Sequence, residues 1–378
     1  MKIIADKKTL VTAFARIQGI TEKSSLNPIT MYALVNAQDN NLIVAATNLQ
    51  IGTKATYPAS TVTQEGKILV QARKIYEIIK EMPEGPIGLE EKENYILEIT
   101  SGKKIKFKLS GSSPNDFPML FKEKENSFVP FNKKQFLKMI DLTFFSMSRE
   151  ESTLNIHGAY LENIEGGITR MVTTDGFRLS VVDETFEQIL PFSEGILIPY
   201  KGIVELQKIL HEKKEEKNIY IFADEKMLFT RIGEIEFNIS LIEKKFPDYR
   251  VIIPGDGYKK FETILPRDEI LPALRRISIV SQENNRPVLF SFKEKRLEIS
   301  SEDSDAGMNV HETLPVNYDK KEEIVFCLNG SYLLDILLAV NDDICIEYNT
   351  EEENKPLILR PQNKKEQVKY IVMPMLKD

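Results

Sequence analysis

Apolar residues along this chain fall into a few patterns that recur. Leu10, Val11, Phe14 and Ile17 share the spacing of one amphipathic stripe, which predicts a helix across Lys7 to Ile20. Phe136, Leu137, Ile140 and Phe144 repeat it across Asn132 to Ser148, and Ile270, Leu271, Leu274 and Ile277 across Arg267 to Gln282. Pro272 suits the third only if it falls in the first turn. A second helical segment follows each first one: Ala72 to Met82, Tyr200 to Glu216, and Asn329 to Val340. Short alternating runs predict strands at Leu42 to Ala46, Ile105 to Leu109, Met171 to Thr174, Ile219 to Ala223, Leu297 to Ser300 and Ile344 to Tyr348. Turn signals such as Asp39-Asn40-Asn41, Ser101-Gly102 and Glu165-Gly166-Gly167 separate them.

The order helix, strands, helix, strands therefore occurs three times, with a period of about 125–135 residues. Smaller echoes keep the phase. Thr47-Asn48-Leu49, Thr174-Asp175-Gly176 and Ser301-Glu302-Asp303 each close a strand midway through a unit, and Asn115-Asp116-Phe117-Pro118 and Phe246-Pro247-Asp248-Tyr249 end the first two. The charged stretch Lys122 to Ser127 and the Pro-Gly stretch Ile253 to Tyr258 are candidate boundaries. Three like-built α+β domains follow, over residues 1–122, 127–252 and 258–378.

Composition agrees with that picture. The 378 residues are 42% hydrophobic and 28% charged, which excludes a wholly disordered or collagen-like chain. No apolar run approaches the ~20 residues of a membrane span, and the start lacks a signal-peptide core, so a cytoplasmic protein is expected. Cys327 and Cys345 are too few for a disulfide framework. The net charge of −7 speaks against holding nucleic acid by bulk charge. Basic side chains nevertheless recur on the helical segments: Lys7, Lys8 and Arg16; Arg73, Lys74 and Lys80; Lys133, Lys134 and Lys138. A basic helical face with acidic sheets outside would suit sequence-blind contact with phosphates.

No phosphate-binding glycine motif, metal-ligand spacing or nucleophile motif occurs, and His157, His211 and His311 stand apart from any of them. The acidic pairs Glu150-Glu151 and Asp342-Asp343 read as solvated carboxylates rather than a metal site. The chain reads as a protein without an active site, cofactor or metal. Two segments are unusual: Thr173 to Leu179, a strand end, turn and return strand, and the apolar C-terminal stretch Tyr370 to Leu376, where chain ends are ordinarily polar.

The N-terminal Met-Lys-Ile, the three-unit layout, Gly111 to Pro118, Thr174-Asp175-Gly176 with Arg178-Leu179, Phe246 to Arg250, Leu328 to Leu334 and Val372-Met373-Pro374-Met375 together resemble the bacterial DNA sliding clamp family, the beta subunit of the replicative DNA polymerase. The resemblance covers the whole chain. It implies an α+β fold of three similar clamp domains, with helices lining the inner face of a ring and antiparallel sheets outside. It implies a non-catalytic processivity factor: a homodimer that encircles duplex DNA without sequence preference and tethers polymerase subunits, the clamp loader and repair proteins by short peptide motifs. The positions matching the family's peptide pocket are Ile156, Thr174, Gly176, Phe177, Arg178, Leu179, Pro247, Ile252, Asn329, Tyr332, Pro356, Ile371, Val372, Met373, Pro374 and Met375. Leu179, Ile252 and Met375 are expected to form its floor, with Arg178 and Tyr332 at a polar rim. Positions matching DNA contacts are Arg73, Arg149, Lys201 and Arg286, with Lys23 standing in for an Arg that relatives often carry where this chain has Ser24 to Pro28. Phe177 replaces a frequent His, and the tail runs on to Leu376-Lys377-Asp378. A metal-dependent enzyme acting on DNA and a protein-binding repeat scaffold are the alternatives.

Ring closure is expected where Lys103 to Leu109 alternates Lys with apolar residues, as exposed edge strands often do. Lys104, Lys106, Phe107 and Leu109 would meet an acidic edge of the third unit carrying Glu298, Glu302, Asp303 and Asp305, with Ile279 and Val280, from the resemblance, as apolar contacts.

Overall fold

The computed structural model describes residues 1–120, 128–153, 155–255, 261–281, 287–303, 307–319, 321–349, 355–363 and 367–375. Among these residues six α-helices form where the stripes predict them: α1 Lys7–Arg16, α2 Ala72–Glu81, α3 Lys133–Thr143, α4 Tyr200–Glu212, α5 Arg267–Ser281 and α6 Gly330–Ala339. Asp6 and Asn329 cap α1 and α6, each side chain accepting a backbone N–H two residues on, from Lys8 and Ser331. α1 stops at Arg16 and tightens into a 3-10 turn, Ile17–Gly19. Each helix buries its apolar stripe: Leu10, Ala13 and Phe14 on α1, Ile75 and Ile79 on α2, Ile270, Leu274 and Ile277 on α5. Burial of each Leu, Ile or Phe stabilises by about 1.5–3 kcal/mol.

Pro272 lies in the second turn of α5, not the first. Proline removes the N–H that would bond the Asp268 carbonyl, but Asp268 and Pro272 are both exposed. Water can therefore serve the freed carbonyl, and the helix continues.

The chain divides into two compact units. One comprises residues 1–134, 190–192 and 201–242 and holds a thirteen-stranded antiparallel sheet among its described residues. The other comprises residues 135–189, 193–200 and 243–378 and holds sheets of eight and four strands. The central third of the chain contributes to both. In the first unit, strand Ile51–Pro58 pairs with Ile235–Ser240 in the register Ile51↔Ile239. In the second, Arg178–Thr185 pairs with Val368–Val372 in the register Arg178↔Val372. Strand pairing thus runs unbroken from repeat to repeat, which explains why compactness does not follow the repeat period.

The core of the third repeat is aromatic, with Phe261, Phe292 and Tyr318 in edge-to-face contact at centroid distances of 5.1 to 6.1 Å. No helix among the described residues is long and apolar enough to cross a membrane.

Candidate functional site

The odd segment at Thr174 is a tightly bonded turn in the second unit. Strands Ile168–Thr174 and Arg178–Thr185 pair up to Thr174↔Leu179. The Thr174 hydroxyl donates to the Arg178 carbonyl (2.7 Å) and accepts the Gly176 N–H (3.1 Å). Asp175 Oδ1 accepts the N–H groups of Phe177 and Arg178, both at 3.0 Å. Gly176 sits at φ +95°, where a Cβ is strained. Short polar side chains that bond their own backbone are what makes such a turn stable.

Arg178 braces this turn from within. Its guanidinium donates to Asp175 (2.9 Å), Asp335 (2.7 Å) and the Phe145 carbonyl (2.5 Å), and lies 4.4 Å from the Tyr332 ring centroid. It is therefore an internal strut that also contributes to the cleft lining, while Tyr332, expected beside it at a polar rim, lies outside that lining. Tyr332 stacks on it, and burial, reinforced by the Asp175 charge, raises the Tyr332 phenol above its ordinary pKa.

The tail runs alongside. After Val372 the Met373 N–H donates to the Phe177 carbonyl (3.0 Å), and the Met375 N–H to the Cys327 carbonyl (2.9 Å). Across from it runs the connector that follows Phe246. Asp248 caps a short 3-10 turn, Tyr249–Val251, by accepting the Arg250 N–H. Tyr249 is buried and donates its hydroxyl to Glu162, which also takes the Arg250 guanidinium at 2.7 and 2.9 Å. Burial and the Glu162 hydrogen bond push Tyr249 up to about 12. With Tyr249 and Arg250 pinned, Val251 and Ile252 are left facing outward, 80% and 43% exposed.

Between turn, tail and connector lies a cleft of about 600 Å³. Of the sequence-predicted residues it is lined by Thr174, Gly176, Phe177, Arg178, Leu179, Ile252, Pro356, Ile371 and Met373. Leu179 and Ile371 are buried and form the floor; Ile252 and the 64%-exposed Phe177 stand at the rim. Ile156, Pro247, Asn329, Tyr332, Val372, Pro374 and Met375 are not brought into the lining. Asn329 is instead the α6 cap, Val372 is buried in its strand, and Met375 is bonded to the neighbouring sheet. Sequence reasoning missed Val251, Ile253, Pro254, Gly255 and Lys355. Three of these, Ile253, Pro254 and Gly255, lie in the Pro-Gly stretch that reads as a domain boundary. The described lining contains cations, Arg178 and Lys355, but no carboxylate. Apart from these two cations the lining is chiefly apolar, with Phe177, Leu179, Val251, Ile252, Ile371 and Met373 among its side chains.

The positions expected to meet DNA are spread over both units. Lys23, Arg73 and Lys201 lie in the first and Arg149 in the second; Lys23, Arg73 and Arg149 are exposed, and Arg286 lies outside the described residues. Glu22 is lowered below the usual carboxylate range by hydrogen bonds from Thr30 and Ser25, with a contribution from the Lys201 charge. Two cations of the expected basic face are spent internally. Arg16 bonds Tyr57 (2.8 Å) and Glu212 (2.5 Å), and the buried Lys133 ammonium caps the carbonyls of Leu210 and Lys213 at the end of α4.

The expected joint is redrawn in one respect. Strand Ile105–Ser112 pairs with Gly66–Gln71 only through Gly111 and Ser112, so its stretch with Lys106, Phe107 and Leu109 has a free edge. Lys104 precedes that strand, and Lys106 pairs with Glu98 at 3.0 Å. Glu298, Glu302 and Asp303, however, lie on Arg296–Asp303, an interior strand of the four-stranded sheet. The edge is the next strand, Met308–Pro315, because the hairpin folds it outside. Asp305 lies outside the described residues. Glu302 is exposed, Asp303 is buried, Ile279 is 70% exposed, and Val280 is turned into its own core.

Comparison with known proteins matches this architecture end to end. Residues 1–121, 130–248 and 250–376 match the models of the N-terminal, central and C-terminal domains of the DNA polymerase III beta subunit. A Beta sliding clamp of Rickettsia felis is 29% identical over 386 residues, covering 99% of each chain. One of Salmonella typhimurium is 29% identical over 378 residues, covering 99% of this chain and 100% of the relative. The crystal structure of the DNA polymerase III subunit beta from Pseudomonas aeruginosa superposes with a TM-score of 0.88 at 25% identity, covering 100% of both chains. With three clamp domains in that order, six helices and antiparallel sheets, the chain belongs to the DNA polymerase III beta subunit family, the bacterial sliding clamps.

Proposed function

We propose that this sliding clamp works without catalysis, as a homodimeric ring around duplex DNA that tethers polymerase subunits, the clamp loader and repair proteins through short peptides held in the 600 Å³ cleft. That cleft carries the reading: an apolar floor, an exposed aromatic rim and no bond-making group suit a peptide anchor and nothing smaller or more reactive. Two or three buried anchors suffice for affinity of about 1 μM once the cost of ordering a peptide is met. Among the described residues no group of three or more His, Cys, Asp or Glu is placed to hold a metal ion.

Three repeats, 1–122, 127–252 and 258–378, are the clamp domains in this proposal. Ring closure pairs the free edge of Ile105–Leu109 on one chain with Met308–Pro315 on the other, forming two identical joints. Lys104, Lys106, Phe107 and Leu109 lie on one side of each joint and Ile279, Glu302 and Asp303 near the other. Val280 is buried in its own domain and anchors the helix that presents Ile279. Arg73, Arg149, Lys201, Arg286 and Lys23 contact phosphates weakly enough to slide. Replacing Arg73, Arg149 and Lys201 together weakens association with DNA and flattens its salt dependence by about one unit of slope per contact, with no change in base preference.

Peptide titration and retention on nicked circular DNA test the proposal together. Deleting Met373 to Asp378 abolishes peptide binding and leaves the dimer mass and the retained ring unchanged. Full peptide affinity without the tail, or equal retention on linear DNA, would overturn it.

A further inference from the structure

The first repeat contains the same turn. The Thr47 hydroxyl donates to the Ile51 carbonyl (2.8 Å) and accepts the Leu49 N–H (2.9 Å). Asn48 Oδ1 accepts the N–H groups of Gln50 (3.1 Å) and Ile51 (2.8 Å). Bond for bond this reproduces Thr174 to Arg178, and the Ser240 N–H on the Gln50 carbonyl (2.7 Å) matches the Met373 N–H on Phe177. At the position of Gly176, however, stands Leu49.

Leu49 is held at φ +73° and is 53% exposed. A leucine in the left-handed region is strained, and an exposed one recovers little by burial. Glycine would hold the turn without strain, as Gly176 does. Backbone strain kept where folding does not need it points to use of the side chain. Leu49 walls a cleft of about 420 Å³ whose apolar lining is Pro28, Ile29, Tyr32, Leu69 and Pro118. Leu26 and Met119, next to that lining in sequence, are both almost wholly exposed. The one charged group of the described lining is the exposed carboxylate of Asp116. In the second-repeat cleft the charged groups of the described lining are instead cations, Lys355 and the Arg178 that is held by Asp175 and Asp335.

We propose that this first-repeat cleft is a second docking site, for a linear peptide with an aliphatic anchor followed by basic residues. The inference takes from the proposed function the premise that this turn supports peptide docking, and adds a separate site with opposite charge preference. Apolar walls and the Leu49 side chain take the anchor; Asp116 selects the basic flank.

Two labelled hexapeptides, Gly-Gly-Leu-Leu-Lys-Lys and Gly-Gly-Leu-Leu-Asp-Asp, test it by fluorescence anisotropy on the full chain. The basic peptide binds saturably; Leu49→Gly weakens it about fivefold by removing apolar contact, and Asp116→Asn weakens it about threefold. Deleting Met373 to Asp378 leaves its affinity unchanged while abolishing binding of the acidic peptide. Leu49→Gly also raises the melting temperature, because strain is released. The proposal is overturned if the basic peptide fails to bind, if Leu49→Gly leaves its affinity intact or lowers the melting temperature, or if the tail deletion removes it. Survival of acidic-peptide binding after the deletion would instead sink the second-repeat reading and leave this one standing.

Discussion

The turns at Thr47–Ile51 and Thr174–Arg178 share a hydrogen-bond pattern and differ in almost every side chain around it. Ile51, 1% exposed, closes the first by burial, whereas Arg178 closes the second by two carboxylates and a carbonyl. One residue on, Gly52 stands where the second repeat has the floor residue Leu179, and its strand partner Asn238 stands where that repeat has Ile371. The missing volume beside Gly52 is occupied by the chain itself. A Cβ there would meet Asn238 Oδ1 at 2.5 Å and the Leu120 side chain at 3.2 Å, and Asn238 Nδ2 donates to the Leu120 carbonyl at 2.5 Å. The first repeat thus fills with its own connector the slot that the second leaves open. The same backbone scaffold carries side chains that act as plug in one repeat and as strut and floor in the other.

The largest contrast is in how each turn resists loss of its closing residue. Ile51→Ala leaves a core cavity and costs about 3 kcal/mol, insensitive to salt, in urea unfolding. Arg178→Ala strands Asp175 and Asp335 and costs about 2 kcal/mol, a loss that shrinks as ionic strength rises. Equal salt dependence of the two variants would erase the distinction.

Alkaline titration separates the connectors. The Tyr249 phenol is raised in the folded chain, so its contribution is fully present below pH 10 and is lost as pH climbs toward about 12. Stability falls across that window by at most about 1.4 kcal/mol per pH unit from this group. Tyr249→Phe flattens the fall, whereas Leu120→Ala leaves its slope unchanged; an unaltered slope in Tyr249→Phe would remove Tyr249 as its source. The smallest effect is at the apex. Gly176→Ala costs about 1 kcal/mol from φ strain alone, because no atom lies within 4 Å of the added Cβ.

Periodicity located all six helices because each stripe serves one local core, and their starts agree within a residue or so of the caps. The turn at Thr174 was legible for the same reason: its bonds are local. What could not be read depends on residues far apart in sequence. That Arg178 spends its donors on Asp335 and Phe145 is a matter of packing, not spacing. That Met308–Pro315, rather than Arg296–Asp303, forms an edge is decided by which side of the hairpin finds another partner. The resemblance supplied most of the second-repeat cleft, yet Ile253 to Gly255 looked like part of a linker because nothing local shows that Tyr249 is anchored just before them.

Unbroken strand pairing between repeats has a consequence for dissection. A fragment limited to residues 127–252 would carry two raw sheet edges, Arg178–Thr185 without Val368–Val372 and Ile235–Ser240 without Ile51–Pro58. Each would expose a row of unpaired backbone groups beside buried apolar side chains, Leu179, Val181 and Val182 on one and Ile235, Phe237 and Ile239 on the other, the kind of edge that recruits another strand. The repeat that the sequence displays is therefore not a unit that can be excised cleanly: each of these strands keeps its partner only while the neighbouring repeats are present.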